Sequence, residues 1–558
     1  MSRRKTQHRR LLLAALSMAI AGFQASDGHA QGIDESGLET VIVQTSMTES
    51  QPYVAESVVP SSASDQPAAA TYEGTTQSYP VEMPVQESSY VPSYSGPSQA
   101  AIAKKKKAAM AGFKGAYQGV YFNNNFAYLD DPYYDGPRFF SDNFKNMKTP
   151  LGTLSLGGET RYRFHDESNF RGKLATAANG GGITGNHDDF WLSRQRVYAD
   201  WRPLDCLRVY GEVLEAKSFG ETFAPRGIEE NDFDIQNLFV DALLFDNDYG
   251  KLTARVGRQE LLFGAQRTVS PLDWANTRRT FEGVRGLYSY GDTSVDAFWT
   301  EFVPVDADGT DKADSNQQFY GAYLTEKNTS LGQVEAYYLG FDNDTVGFSD
   351  NNIGGRLSGS TSNKMLYDVE GAYQFGENAD GSDHSAGFFT VGLGRKIETK
   401  SLSPTVMFYY DYASGEDDFA DVGRGDNGYD HLFPLAHKYN GFMDLFGRRN
   451  LHDFNILTTA PINEKVSFLV WYHYFRMVED TTPYNVGMAP YDTTTAAQSK
   501  DLGHEIDFLM NVNFTARHNV VLGYSHFAGG SYYDDPAIGP ANENNDADFF
   551  YAQFTTRY

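Results

Sequence analysis

From Leu154 to the C-terminus the chain alternates apolar and polar residues with period two, segment after segment. In the first segment Leu154, Leu156, Thr160, Tyr162 and Phe164 share one face, while Ser155, Glu159, Arg161 and Arg163 share the other. Val197, Ala199 and Trp201 alternate with Arg194, Arg196, Tyr198 and Asp200. Leu252, Ala254 and Val256 alternate with Thr253 and Arg255. A helix places residues 3.6 per turn and cannot keep such a pattern on one face. Extended strands can, and segments of this length with aromatic ends fit strands that face lipid on one side and water on the other.

The connections between these segments alternate in length. Short turns fall at residues 202–206, 245–250, 290–292, 326–332, 460–465 and 515–519. Long polar loops fall near 167–189, 218–234, 264–280, 303–316, 413–451, 479–500 and 528–546. Short turns on one rim and long loops on the other describe a bacterial outer-membrane barrel. The parity of the loops requires a strand at Asn351–Gly359, with Ile353, Gly355 and Leu357 outward and Arg356 inward. That gives an all-β fold: a transmembrane antiparallel β-barrel of eighteen strands. The end of the chain agrees, since Phe550, Ala552, Phe554, Thr556 and Tyr558 share the outward register. An aromatic last residue is also what barrel assembly machinery is expected to engage. A soluble solenoid or propeller would show a fixed repeat, and the sequence has none.

The barrel accounts for residues 151–558. Residues 1–30 read as a secretory leader: the basic MSRRKTQHRR, an apolar stretch from Leu11 to Phe23, then GHA before Gln31. That apolar stretch is too short to span a bilayer as a helix, which takes about 20 residues. Residues 31–110 read as a disordered periplasmic arm of low complexity, in which 31–103 hold no Lys or Arg and Lys104–Lys107 form a basic run. Residues 111–150, aromatic and rich in turns, read as a short cap or plug. The single Cys206 excludes an intramolecular disulfide or a multi-cysteine zinc site. Loss of the leader takes the formal charge from -27 to -31, which argues against nucleic acid as a partner.

Against that acidity stands one basic island. From Lys251 to Arg285 there are seven basic residues (Lys251, Arg255, Arg258, Arg267, Arg278, Arg279, Arg285) and three acidic ones (Glu260, Asp273, Glu282). Clustered guanidinium groups offer planar forks of donors to carboxylates and phosphates, or they pair with scattered acids.

Within the island the motifs GRQELLFG, Arg267, Pro271-Leu272-Asp273-Trp274 with Asn276, and RTFEGVR resemble the alginate export family of outer-membrane barrels. The likeness continues in Val369–Gly376, Asp411–Phe454 and Asp501–Tyr533, and leaves out residues 1–150. It implies an eighteen-stranded barrel whose arginine-rich constriction passes an anionic uronic-acid polymer. Carried over by position, it implies constriction roles for Arg258, Arg267, Arg279 and Arg285, with Asp273 and Trp274 bracing an inward loop. Strand alternation adds Arg161, Arg163, Arg194, Arg196, Arg255 and Arg356 as bore-facing candidates. The same alternation sends Glu159, Asp200, Glu212, Asp241, Asp368, Glu370, Asp411, Glu505 and Asp507 inward, so the bore is expected to be mixed in sign.

No nucleophile with an adjacent base, no H-E-x-x-H and no phosphate-cradling glycine loop occurs, so no enzyme activity is expected. No cofactor or protein metal site is expected either, although the acidic loops at Glu416–Asp421 and Asp534–Asp548 offer oxygens that suit calcium. The expected partners are outer-membrane lipid, anionic polysaccharide or small anions, and the assembly machinery. Two other readings fit the same residues: a general or phosphate-selective diffusion porin, and a barrel that anchors the envelope through its N-terminal arm.

Overall fold

The computed structural model describes residues 99–169, 187–399, 402–422, 427–535 and 545–558. The leader, the arm up to residue 98 and residues 536–544 of the second acidic loop lie outside the described residues.

Eighteen strands, from Gly152–Ser168 to Asp546–Arg557, each pair antiparallel with the next. The last pairs with the first, Gln553 opposite Arg163, and the sheet closes. A three-residue strand, Met147–Thr149, adds to the start of the first. Closure removes the sheet edges, so backbone donors and acceptors are met between strands, as hydrocarbon requires.

The alternation decides what faces lipid. Val197, Val256, Ile353 and Phe408 are each more than half exposed, whereas Arg161, Arg163, Arg194 and Arg196 are 1% exposed. The apolar face therefore looks outward and the arginine face lines the bore. The glycine-rich strand forms as Phe348–Ser360, with Arg356 opposite Glu335 on one neighbour and Glu370 on the other. Glycine weakens strands, but at Gly354 a Cβ would sit 2.5 Å from the Tyr337 ring. The aromatic packs across the strand where a side chain would have stood.

Two elements depart from the sequence expectation. The helix Gln99–Lys114 runs across the boundary drawn at residue 110, because alanine and lysine favour helix and Ala109 and Phe113 bury against Tyr117, Tyr128 and Tyr134. The loop between Ala413 and Leu451, read as a polar outer loop, folds into the bore instead. Its Leu432, Phe433, Leu435, Phe442, Met443 and Phe446 are buried. An apolar run of that size is stabilised by leaving water, and the bore is where it can do so. Val269 of the preceding inward loop forms a parallel bridge with Phe433, which ties the two loops together.

Candidate functional site: an arginine-lined bore with two inward fillers

Near its end the strand Gly250–Gln259 carries Gly257 (φ +127°), where a Cβ would strike the Leu238 carbonyl. From there the chain turns into the bore and returns at the strand Thr280–Tyr290. Its tip is Pro271–Asn276. Leu272 adopts φ +55° and Gln266 φ +68°, conformations that cost a non-glycine residue energy and that persist only where neighbours impose them.

Those neighbours are the bore arginines. Arg161 donates through Nη1 to the Asp273 carbonyl (2.8 Å) and through Nη2 to that of Ala275 (2.7 Å). Arg163 donates to the Trp274 carbonyl (2.8 Å) and lies 3.8 Å over the Trp274 ring. The other face of that ring stacks on His437 at 3.5 Å. Arg194 bridges Glu159 and the Asp273 carboxylate, both at 2.8 Å. Arg278 pairs with Glu260 and Asp273, and Arg196 pairs with Glu212 at 2.5 Å.

Two further groups complete the wall. Arg267 reaches Asp368 and Glu370, each at 2.8 Å, and Arg356 reaches Asp368 (2.7 Å) and Glu335 (3.1 Å). Arg255 pairs with Asp241 (2.7 Å), Arg285 with Asp296 (2.7 Å), and the two arginines stand opposite each other across neighbouring strands. Arg279 differs from all of these. Half-buried between the two inward loops, it donates to the carbonyls of Ser270 (3.3 Å) and Pro434 (3.2 Å) and lies over Phe433. Among the described residues no carboxylate lies within ion-pair distance of it. Nearby, burial first, then the charges of Arg267 and Arg356, pull Lys438 down to about 7.

Arg258 lies elsewhere. It sits on the register of Val256 and opposite Leu238, both of which face outward, and it is held by Glu282 (3.3 Å) and by the carbonyls of Ile235 and Asp311. The structure thus brings Arg161, Arg163, Arg194, Asp273 and Trp274 together and keeps Arg258 apart. Arg267 and Arg356 form a second cluster, Arg255 and Arg285 a third.

Above the tip lies a cavity of about 270 Å³, lined among others by Arg163, His165, Arg226, Asn276, Trp274 and Tyr491. Of the acidic loops, Glu416 is fully buried against Arg449 and the Tyr484 hydroxyl. Among the described residues no set of three or more His, Cys, Asp or Glu is arranged to hold a metal ion.

Sequence reasoning missed Arg278 and Glu260 as partners, although both were inside the basic island. The segment 111–150, read as a short cap or plug, sends a finger of chain into the bore from the opposite rim. Val120, Tyr121 and Phe122 are buried in the bore against Tyr198, Tyr210 and Phe239. The Tyr121 hydroxyl donates to Glu159, Arg208 donates to the Phe122 carbonyl (2.6 Å), and Arg278 donates to that of Gly119 (3.0 Å). The cap-or-plug reading rested on the aromatic, turn-rich composition of residues 111–150.

A family model described as alginate export matches residues 153–545. No curated protein matches the chain. Among solved structures the chain is similar to the outer membrane protein opdK of Pseudomonas aeruginosa, at 11% identity over 72% of this chain and 98% of that one, with a TM-score of 0.47. It is also similar to OccAB1 of Acinetobacter baumannii, at 12% identity over 74% and 99%, with a TM-score of 0.47. A third is OccK8 (OprE) of Pseudomonas aeruginosa, at 10% identity over 73% and 98%, with a TM-score of 0.48.

Proposed function

We propose, from the premise that this chain belongs to the alginate export family, that its bore passes an anionic solute or a uronic-acid polymer through the arginine set around the inward loops. The chain is an outer-membrane barrel and a channel. Its outward apolar face is solvated by lipid. The path assigned here runs past Arg161, Arg163 and Arg194 at the Asp273–Ala275 tip, then past Arg279 and the pair Arg267 and Arg356. The role is transport without catalysis: the groups hold and attract an anion and transfer nothing to it.

The observation that carries the reading is Arg279. Other bore arginines are paired with carboxylates, among them Glu159, Glu212, Asp241, Asp368 and Glu370. Arg279 meets carbonyls and a ring and is half-buried; burial lowers its guanidinium to about 9, which still leaves it positively charged at neutral pH. In a water-poor passage one such charge attracts an anion far more strongly than it would in bulk water.

Reversal potentials of the purified protein in planar bilayers under a salt gradient test this. Anion preference is expected, reduced several-fold in Arg279→Gln and further in Arg279→Gln with Arg161→Gln. A cation preference in the unaltered protein would remove the anionic cargo and leave the barrel.

A further inference from the structure

The segment before the barrel lies outside the family match, which begins at residue 153, yet it occupies the bore. The strand ends joined by short turns mark the periplasmic rim. There the helix Gln99–Lys114 and the aromatic cluster of Phe113, Tyr117, Tyr128 and Phe139 dock against the barrel. Arg517, in the turn before the strand His518–Gly529, pairs with Asp142 and lies 4.2 Å over the Phe139 ring. From this base a tight finger, closed by Asn125 N donating to the Ala116 carbonyl (2.9 Å), pushes Tyr121 and Phe122 inward.

The finger fills its seat. Tyr121 lies beneath the Arg196 guanidinium (4.0 Å), and Phe122 packs edge-on to Phe239 (5.3 Å) with Arg255 at 4.5 Å. Val120, Tyr121 and Phe122 are each at most 6% exposed, as are Arg196, Tyr210 and Phe239 around them, so the finger is closely packed against this part of the wall. The finger is anchored differently from a structural core. Its ties into the wall are single hydrogen bonds, at the Gly119 and Phe122 carbonyls and the Tyr121 hydroxyl, together with ring contacts. The charged groups that make them are ones the barrel already pairs: Arg196 with Glu212, Arg208 with Asp200, Arg255 with Asp241, Arg278 with Glu260 and Glu159 with Arg194. Withdrawing Val120–Phe122 leaves no bore charge without its partner, while the base of the segment keeps its ion pair between Asp142 and Arg517 at the rim.

The helix at its base carries Lys104, Lys105, Lys106 and Lys107, all exposed at the periplasmic mouth of a strongly acidic chain. Lys106 pairs with Asp135 and Lys105 lies over Tyr133, both contacts within the same segment, so a ligand on the lysines pulls on the base of the finger.

We propose that residues 99–146 form a displaceable stopper: the finger Val120–Phe122 closes the bore, and the lysine helix takes the acidic polymer whose arrival withdraws it. This rests on the anionic-cargo reading for its ligand and on the finger alone for its closure.

Single-channel recording of the full chain in planar bilayers tests both parts. The variant Tyr121→Ser with Phe122→Ser is expected to conduct at least about tenfold more than the unaltered protein. Tyr121→Phe, which removes only one hydroxyl, is the second variant and is expected to give a smaller rise. Heat-modifiable migration on gels reports whether each barrel is closed. A soluble oligouronate on the stopper side is expected to open the unaltered protein, and a neutral oligosaccharide of equal length to leave it shut. Replacing Lys104 to Lys107 by glutamine is expected to abolish that response while a finger variant stays open. If folded finger variants conduct no more than the unaltered protein, the stopper is overturned. If the oligouronate opens the glutamine variant equally, the lysine helix is overturned as the handle. An open finger variant that prefers cations would sink the anionic-cargo reading and leave the stopper standing.

Discussion

Two pieces of chain fill the same bore from opposite rims, and they are held in different ways. The inward loop Glu260–Arg279 is attached to a strand at each end, and its buried carboxylate and guanidinium groups interlock with the wall. Arg278, Glu260 and Arg196 are all at most 3% exposed and pair with one another. Removing any one unbalances the charge in a place that water does not reach. The N-terminal finger is tied within the bore by the Gly119 and Phe122 carbonyls, the Tyr121 hydroxyl and ring faces, while an ion pair of Asp142 with Arg517 holds its base at the rim. The loop is part of the barrel, and the finger is a tenant of it. The difference shows that burial alone does not measure permanence: what matters is whether departure leaves unpaired charge behind.

The largest expected effect breaks the loop. Glu260→Gln leaves Arg278 and Arg196 short of a buried carboxylate, and loss of one partner of a buried ion pair costs about 3–5 kcal/mol. Urea unfolding in detergent, followed by heat-modifiable migration, should show that loss, and an unchanged midpoint would mean the loop is not held by charge. Next, Trp274→Ala removes a ring sandwiched between Arg163 and His437, with a cost of about 2 kcal/mol or more for the desolvated cation and ring. The same measurement applies.

The finger is expected to respond by about half as much. Tyr121→Phe deletes one hydroxyl bond to Glu159, which keeps Arg194, so the loss is about 1 kcal/mol and appears in conductance rather than in barrel unfolding.

A smaller effect comes from pH. Lys145, at the base of the finger, is pulled down to about 7 by burial first and then by Arg517, with Asp142 opposing. It donates to the carbonyls of Leu156 and Tyr558 and to the Tyr198 hydroxyl, and the rings of Phe126 and Tyr198 flank it. Its ordinary value is 10.5 when released, so the released state binds more protons between about pH 7 and 10.5. Seating is therefore favoured as pH rises through that window, and the gain is absent below it. Leak current should fall between pH 6.5 and about 9, and Lys145→Met should flatten the profile. The least effect is expected at Arg258→Gln: outside the bore, it should leave the reversal potential unchanged. A shift as large as that of Arg279→Gln would place Arg258 in the path after all.

The sequence by itself determined the barrel. Period-two alternation names the lipid-facing side chains one by one, and loop parity required the weak strand around Arg356, because both follow from local geometry and from the absence of water in the membrane. It also determined which arginines point inward along strands, Arg161 to Arg356. Inside the bore that logic stops. Arg258 still obeys that logic, since it shares the outward register of Val256, and it was the family likeness that implied a place for it beside Arg267 and Arg279. Whether the loop at Leu432–Phe446 turns in or out depends on there being room for it. That Arg278 meets Glu260, Asp273 and the Gly119 carbonyl depends on one loop folding back on itself and on a segment 159 residues earlier arriving at the same place. Tertiary structure alone decided these contacts, because a filled bore is assembled from residues far apart in the chain, and no periodicity records who will meet whom.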